Sequence, residues 1–301
     1  MFYTKPRFRP AGDSFIEVEL GDEMSFDVNV RVHSLTASTR AAGIDGIVEL
    51  VPELASMLVS YDPDRVTYER LVDDIRQCAE ASGDDANDEM PSRLFYVPTL
   101  YFDPWTTECV EAYCRQHTEK VPDPLLLVSE NGLKDIAELK RLHSGTEYWA
   151  AALGFWPGLC SLLPLDPRCR LNAPKYNPPR TWTPKGTIGV GGGLSCIYPD
   201  PTPGGYQIFA RTPIPVWDRE QRLAAFKESV ALFRPGDRIR FVPIDREEYD
   251  DIEARVADGS YVHQMVDYQT FSVPRYRAWL QSLDPVTASD GTGPLQETVH
   301  V

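Results

Sequence analysis

Between Tyr148 and Phe209, glycine and proline recur every few residues, and no long amphipathic helix can be drawn through the segment. Its apolar residues fall in short runs of strand length, separated by turn formers. Such a segment buries its apolar side chains only by pairing many short strands. It therefore reads as a compact β-barrel or sandwich whose loops carry function. The clearest strands are "GYQIFART" and, further on, "DRIRFVPI", the second entered through the turn "RPGD". A content of 42% hydrophobic and 11% aromatic residues supplies the core that this architecture needs.

The N-terminal part follows a different pattern. In "SFIEVEL" (Ser14–Leu20), Ile16, Val18 and Leu20 share one face of a half-buried strand. Asp27 to Ala42 reads as a helix with Val28, Val32 and Leu35 inward and Gly43 as its stop. "GIVELV" and "SMLVSYDP" form a hairpin across "PELA", and Asp64 is expected to cap the next helix, where Tyr68, Leu71, Val72, Ile75 and Cys78 recur at helical spacing. Strand, helix, two strands and helix is the order of a small α+β layer. The acidic run "ASGDDANDEMPS" (Ala81–Ser92) reads as a linker. Beyond it, "RLFYVPTLYF" begins a new β run, and Asp103 followed by Pro104 caps the helix "PWTTECVEAYCRQH". Ser129 or Asn131 is expected to open a further helix ending near Gly145. Two helices, "REEYDDIEARVADGSY" and "VPRYRAWLQSLDP", follow the barrel strands, and the final "VTASDGTGPLQETVHV" reads as disordered.

A formal net charge of −15 argues against a broad nucleic-acid footprint and against adhesion to anionic membranes. No apolar run reaches the roughly 18 residues a membrane helix needs. The basic start "MFYTKPRFRP" has no apolar signal segment behind it, so a cytoplasmic location is expected. Cys78, Cys109, Cys114, Cys160, Cys169 and Cys196 form neither C-x-x-C nor a zinc spacing, and the histidines are isolated from one another. Reduced core thiols and no metal site are expected. Cys160 has no histidine near it in sequence to serve as a base, and His33 and His143 read as ordinary helix residues.

The segment Lys175–Pro213, "KYNPPRTWTPKGTIGVGGGLSCIYPDPTPGGYQIFARTP", mixes polar residues with a glycine run. Consecutive glycines let backbone N–H groups approach a ligand and form an anion nest. Lys175 and Arg180 add cationic donors, and Tyr176 and Asn177 neutral ones, a set suited to a carboxylate, an enolate or a developing oxyanion. Tight barrel turns are the competing explanation of the glycines. The stretch is neither a phosphate loop nor a dinucleotide fingerprint. "GFWPGLCSL" (Gly154–Leu162) reads either as core or as the wall of a small-molecule pocket, with Trp156 as a substrate contact.

The motifs "LDPRCRLNAPKYNPPRTWTPKGTIGVGGG", "CIYP", "PGGYQ" and "RTPIPVWD", with "RPAGDSFIEVELGD", "GIVEL", "SYDP", "DPWT" and "ENGLKD", resemble the C–D half of the carboxyltransferase component of urea carboxylase. That group includes allophanate hydrolase subunit 1, KipI-like proteins and a 5-oxoprolinase subunit. The resemblance covers about Arg9 to Leu283. It implies an α+β chain: a ferredoxin-like subdomain (1–90), a cyclophilin-like β-barrel with the cleft (91–245), a helical extension (246–283) and a disordered tail (284–301). It places Lys175, Tyr176 and Arg180 on family motifs, and these, with the neighbouring acid Asp200, are the expected catalytic residues. It implies substrate contacts for Asn177, Gly192, Tyr198, Gly204, Gly205, Tyr206, Gln207 and Arg211, and Gly191, Thr202 and Trp156 are expected contacts beside them. No covalently bound cofactor is expected; carboxybiotin would come from a biotinylated carrier, beside a separate A–B half. No Ala-Met-Lys-Met biotin acceptor occurs in these residues. The family usually places an acid and a serine before Pro-Gly-Gly, where this chain has Pro201 and Thr202, with Asp200 shifted by one. The residues after Phe155 also differ. Three functions are compatible with this pattern: a carboxyltransferase half acting on a small urea- or amide-type substrate, a biotin-independent biosynthetic enzyme reusing the cleft, and a non-catalytic regulatory binder.

Overall fold

Two large sheets, with a small two-stranded third, organise the chain in the computed structural model, which describes residues 1–82, 89–117 and 119–283. Half of the predicted linker, residues 83–88, and the tail predicted to be disordered lie outside the described residues; the rest of the predicted linker contains the end of a helix (Ala81, Ser82) and a short strand (Glu89–Pro91).

The first sheet contains β1 (Phe2–Pro10), β2 (Phe15–Gly21), β3 (Ile47–Pro52) and β4 (Ser56–Tyr61), in the antiparallel order β1-β2-β4-β3. Two helices cover it, α1 (Phe26–Ala42) and α2 (Tyr68–Ser82). Ile16, Val18 and Leu20 alternate inward as predicted and pack with Met57 and Val59 against Val28, Val32 and Leu35 of α1 and Leu71 and Ile75 of α2. The Ser25 hydroxyl accepts from the Val28 N–H at 3.2 Å, and Gly43 ends the helix at φ 59°. That left-handed conformation is why glycine stands there. Asp64 does not cap α2. The Thr67 hydroxyl accepts from the Arg70 N–H instead, while the Asp64 N–H is held by Asp62. The sequence reading also lacked β1, whose mostly polar, half-exposed residues give no core signal. In a βαββαβ layer the last strand lies beside the first. Here the N-terminal β1 takes that place, so the ferredoxin-like layer is closed from the other end of the chain.

After β5 (Glu89–Pro91) the second sheet begins. β6 (Leu94–Tyr101) is followed by α3 (Pro104–Gln116), α4 (Asp123–Glu130) and α5 (Ile136–Ser144). Then come β7 (Glu147–Leu153), β8 (Cys160–Pro164), β9 (Thr187–Gly191), β10 (Leu194–Ile197), β11 (Gln207–Arg211) and β12 (Arg238–Pro243). The order β11-β9-β10-β8-β7-β12-β6 closes on itself through β6–β11, and only β12–β6 is parallel. This is the expected barrel. The carboxylate of Asp103 accepts from the Thr106 N–H at 2.9 Å, with Pro104 opening α3. The next helix differs from expectation: Ser129 and Asn131 mark the end of α4, and Asp135 caps α5 by accepting from Glu138 N–H. His143 of α5 enters the barrel core among Tyr101, Tyr148, Ser195, Phe209 and Phe241, each from a different strand. Burial pushes its pKa down to about 3. The Ser195 hydroxyl lies 3.1 Å from its Nε2. Both residues are buried and the imidazole is a weak base, so the pair serves packing rather than nucleophilic chemistry.

α1 is covered on two sides. Its Asn29, Val30 and His33 face the barrel, opposite the residues that face its own sheet. Asn29 is fully buried. Its Nδ2 contacts the carbonyls of Glu53 (2.9 Å), Leu54 (3.2 Å) and Ala151 (3.1 Å), while its Oδ1 accepts from the Trp149 indole at 2.8 Å. The C-terminal part closes over the same junction. It contains α6 (Arg246–Ala257), β13 (Met265–Val266), β14 (Thr270–Ser272) and α7 (Val273–Ser282); β14 pairs with β5, and Phe271 and Tyr276 pack on Phe26. Among the described residues no helix is long and apolar enough to cross a membrane, and no group of three or more His, Cys, Asp or Glu could hold a metal.

Candidate functional site

The irregular chain before β9 is anchored by the Pro-Gly-Gly turn. Tyr176 N–H donates to the Gly205 carbonyl at 2.6 Å. Arg180 and Gly204 exchange backbone hydrogen bonds of 2.9 and 3.1 Å. A methyl group added at Gly204 would sit 2.4 Å from the Tyr198 hydroxyl, so glycine gives the Tyr198 ring its place against the turn. The peptide bond between Asn177 and Pro178 is cis.

This ladder forms one side of a cavity of about 480 Å³. Six of the predicted positions line it: Lys175, Tyr176, Tyr198, Gly204, Gly205 and Tyr206. Phe155, Leu159, Pro179 and Pro203 make apolar wall, and Cys196 and Ser161 reach it from β10 and β8. From the other sheet, the turn between β3 and β4 contributes Glu53. Burial raises the Glu53 carboxyl above its usual range and pushes the Cys196 thiol up to about 12, which leaves Cys196 a poor nucleophile.

Arg180 lies behind this wall, 2% exposed. Its Nη1 donates to the Tyr206 carbonyl at 2.7 Å and its Nε to the Thr183 hydroxyl at 3.3 Å, while Nη2 has no acceptor among the described residues. The guanidinium stacks 4.4 Å from the centre of the Tyr176 ring, and its charge opposes the effect of burial at Cys196 and Tyr198. Tyr176 is held from both ends. Its hydroxyl donates to Asp123, which is fully buried and also accepts from Lys120 and from the Ile208 N–H at 2.7 Å. Burial first, then the Asp123 charge, raises the Tyr176 phenol, which stays protonated. The cavity therefore sees its ring, and the hydroxyl is committed to Asp123.

The remaining predicted positions stand apart from the cavity lining. The glycine run makes a hairpin turn between β9 and β10: Gly192 and Gly193 have φ of 60° and 81°, and the Gly192 N–H donates to the Ala173 carbonyl at 3.0 Å. That geometry is a turn and not an anion nest. Gly191 leaves room for the Tyr206 ring. Gln207 donates to the Pro174 carbonyl at 2.6 Å and accepts from Lys120 at 2.9 Å, which fixes the backbone before Lys175. Arg211 donates to the Lys185 carbonyl at 2.8 Å and stacks on Trp105, on the flank of α3. The Thr202 hydroxyl donates to the Pro203 carbonyl at 2.6 Å. Asn177 and Trp156 are exposed, and Asp200 is half-buried; none of the three lines the cavity. Sequence reasoning missed Glu53 and Asp123. Glu53 looks like any turn residue, and Asp123 is masked by the prolines on either side of it.

An antiparallel α+β layer docked on a closed barrel, with a cavity walled by both, defines the class of protein. Residues 6–226 match the carboxyltransferase domain family, subdomains C and D, and the chain belongs to that family. The urea amidolyase of Saccharomyces cerevisiae is 32% identical over 291 residues, which are 93% of this chain and 16% of that protein. A 5-oxoprolinase subunit of Bacillus subtilis is 28% identical over 247 residues, 79% of this chain and 92% of that one. Among solved structures, the Kluyveromyces lactis urea carboxylase superposes with a TM-score of 0.83 at 27% identity, over 92% of this chain and 25% of its own. The chain thus spans a small part of the urea amidolyase and of the urea carboxylase, and most of the oxoprolinase subunit.

Proposed function

We propose that the chain is a C–D carboxyltransferase half whose cavity takes a small urea-, amide- or carbonyl-bearing substrate, working with an A–B half and a biotinylated carrier. The observation that supports this most is the convergence of two family motifs, 175–180 and 203–206, on one cavity. A volume of about 480 Å³ with apolar walls and few polar groups suits a small ligand. The residues also fit a carboxylated ureido ring. Lys175 supplies an ammonium, Phe155, Leu159, Pro179 and Pro203 offer a ring-sized apolar wall, and the Arg180 charge lies behind that wall. Carboxybiotin, when bound, supplies an activated carboxyl group. The chain's own part is electrostatic. Lys175 faces the ligand, and Arg180 adds a fixed positive field through the Tyr176 ring and the Tyr206 carbonyl it holds. A positive field of this kind favours charge developing on a carbonyl or carboxylate oxygen.

A second reading, a biotin-independent enzyme in the same cavity, is favoured by Phe155. This residue lines the cavity in a left-handed conformation, φ 71°, at the start of the stretch that departs from the family pattern. Purification from the native host, probed with labelled streptavidin, separates the two readings. A stoichiometric biotinylated companion is expected from the first. A protein that turns over substrate without one overturns it in favour of the second.

A further inference from the structure

We infer that Glu53 is the specificity-determining group through which the cavity recognises the N–H donors of an amide- or urea-type ligand. The inference rests on the cavity being the ligand site, as proposed above. Four observations carry it. Glu53 is supplied by the α+β layer, and the rest of the lining comes from the barrel and its loops, so the site is complete only when the two sheets are docked. The residue is fixed in place: its N–H donates to the Ser56 carbonyl at 2.8 Å, and its carbonyl accepts from the buried Asn29 at 2.9 Å. The side chain lies beside Gly154, with Oε2 3.9 Å from where a β-carbon would stand, an ordinary contact distance that places the carboxylate against the barrel side of the cavity. No cation pairs with it among the described residues.

An unpaired, half-buried carboxylate in an apolar cavity is costly unless a ligand donates to it. Its counterpart in the lining is Lys175, the lone ammonium there, with the Arg180 field behind. The cavity is therefore polarised, with an acceptor on one subdomain and a cationic donor on the other. A ligand that carries both a carbonyl oxygen and N–H groups matches it, whereas a simple ketone engages only the cationic side. Because burial raises the Glu53 carboxyl, recognition should strengthen as pH rises through that raised range and the carboxylate forms.

The test is saturation-transfer NMR titration of the whole chain with N-methylurea and with acetone, which shares the carbonyl but lacks N–H. The wild-type protein and the E53Q and E53A variants are compared across pH 5 to 8, with melting temperature as the folding control. The expected result is that both variants keep their melting temperature and acetone affinity but lose about tenfold or more in N-methylurea affinity, the cost of a charged hydrogen bond. The pH dependence should disappear with them. Equal N-methylurea affinity in wild type and E53Q overturns the inference, as does a wild-type protein that binds acetone as tightly as N-methylurea. A wild-type protein that binds neither probe overturns the cavity reading itself.

Discussion

Replacing Asn29 by alanine should loosen the joint between the two sheets. The structure gives the size of the effect. Asn29 and Trp149 are both fully buried, so the substitution strands the Trp149 indole N–H without a partner. An unsatisfied buried donor costs about 1–3 kcal/mol. The Ala151 carbonyl keeps His33 as a partner at 3.0 Å and is not orphaned. The Glu53 and Leu54 carbonyls lie in a half-exposed turn, where water can replace the lost bonds, each worth about 1 kcal/mol or less. The total is about 1–5 kcal/mol, a sizeable share of the roughly 5–15 kcal/mol that holds a typical domain. Asn29→Asp should be worse. It can still accept from Trp149, but it turns a carboxylate toward three carbonyl oxygens. Guanidinium unfolding at pH 8, followed by tryptophan fluorescence and far-ultraviolet circular dichroism, measures both variants. A loss below about 0.5 kcal/mol for N29A, or N29D matching N29A, would refute the reasoning.

Three further outcomes follow from the same geometry. G204A should cost about 1–3 kcal/mol through overpacking against Tyr198, while G205A, whose added carbon meets nothing closer than 3.5 Å, should be nearly neutral; paired thermal melts decide it. D123N should destabilise by about 3 kcal/mol, because Lys120 and Tyr176 lose a buried charged partner, and it should also weaken ligand binding through Tyr176. Burial holds His143 at about 3 and His263 at about 4, below the 6.5 of an unfolded chain. The unfolded state therefore takes up more protons as pH drops below 6.5, and stability falls by about 1.4 kcal/mol per pH unit for each such histidine. Unfolding curves at pH 7.5, 6 and 5 should show a shallower decline for H143Q than for wild type.

Regular alternation made β2 legible, and Gly43 and the Asp103–Pro104 pair announced their helix ends, because each of these signals is local. The barrel was legible for a related reason: a segment that can form only short strands has few ways to bury them. What escaped depends on contacts distant in sequence. β1 becomes a strand by pairing with β2, and nothing in its own residues requires it. Asp123 opens a short helix between prolines and acquires its role only by meeting Tyr176 and Ile208. The glycines of 191–193 were visible, yet composition could not separate a hairpin turn from an anion nest. The backbone conformation and the Ala173 partner of Gly192 decide for the turn. Lys175 and the Pro-Gly-Gly turn were identified as site residues from their motifs, and the structure brings them to one cavity. Glu53 reaches the same cavity from the opposite sheet, a relation no single stretch of sequence contains.

The most direct test of the cavity as the ligand site is a backbone-amide NMR titration of the isotope-labelled chain with free biotin, whose ureido ring carries the carbonyl and N–H groups of the proposed ligand. The account predicts shifts concentrated at Gly154, Ser161, Tyr176, Gly204 and Gly205, with Gly192 in its hairpin turn and Gly259 after α6 unmoved. Shifts centred on α3 and α6 around Arg211, with Gly204 and Gly205 silent, would contradict it.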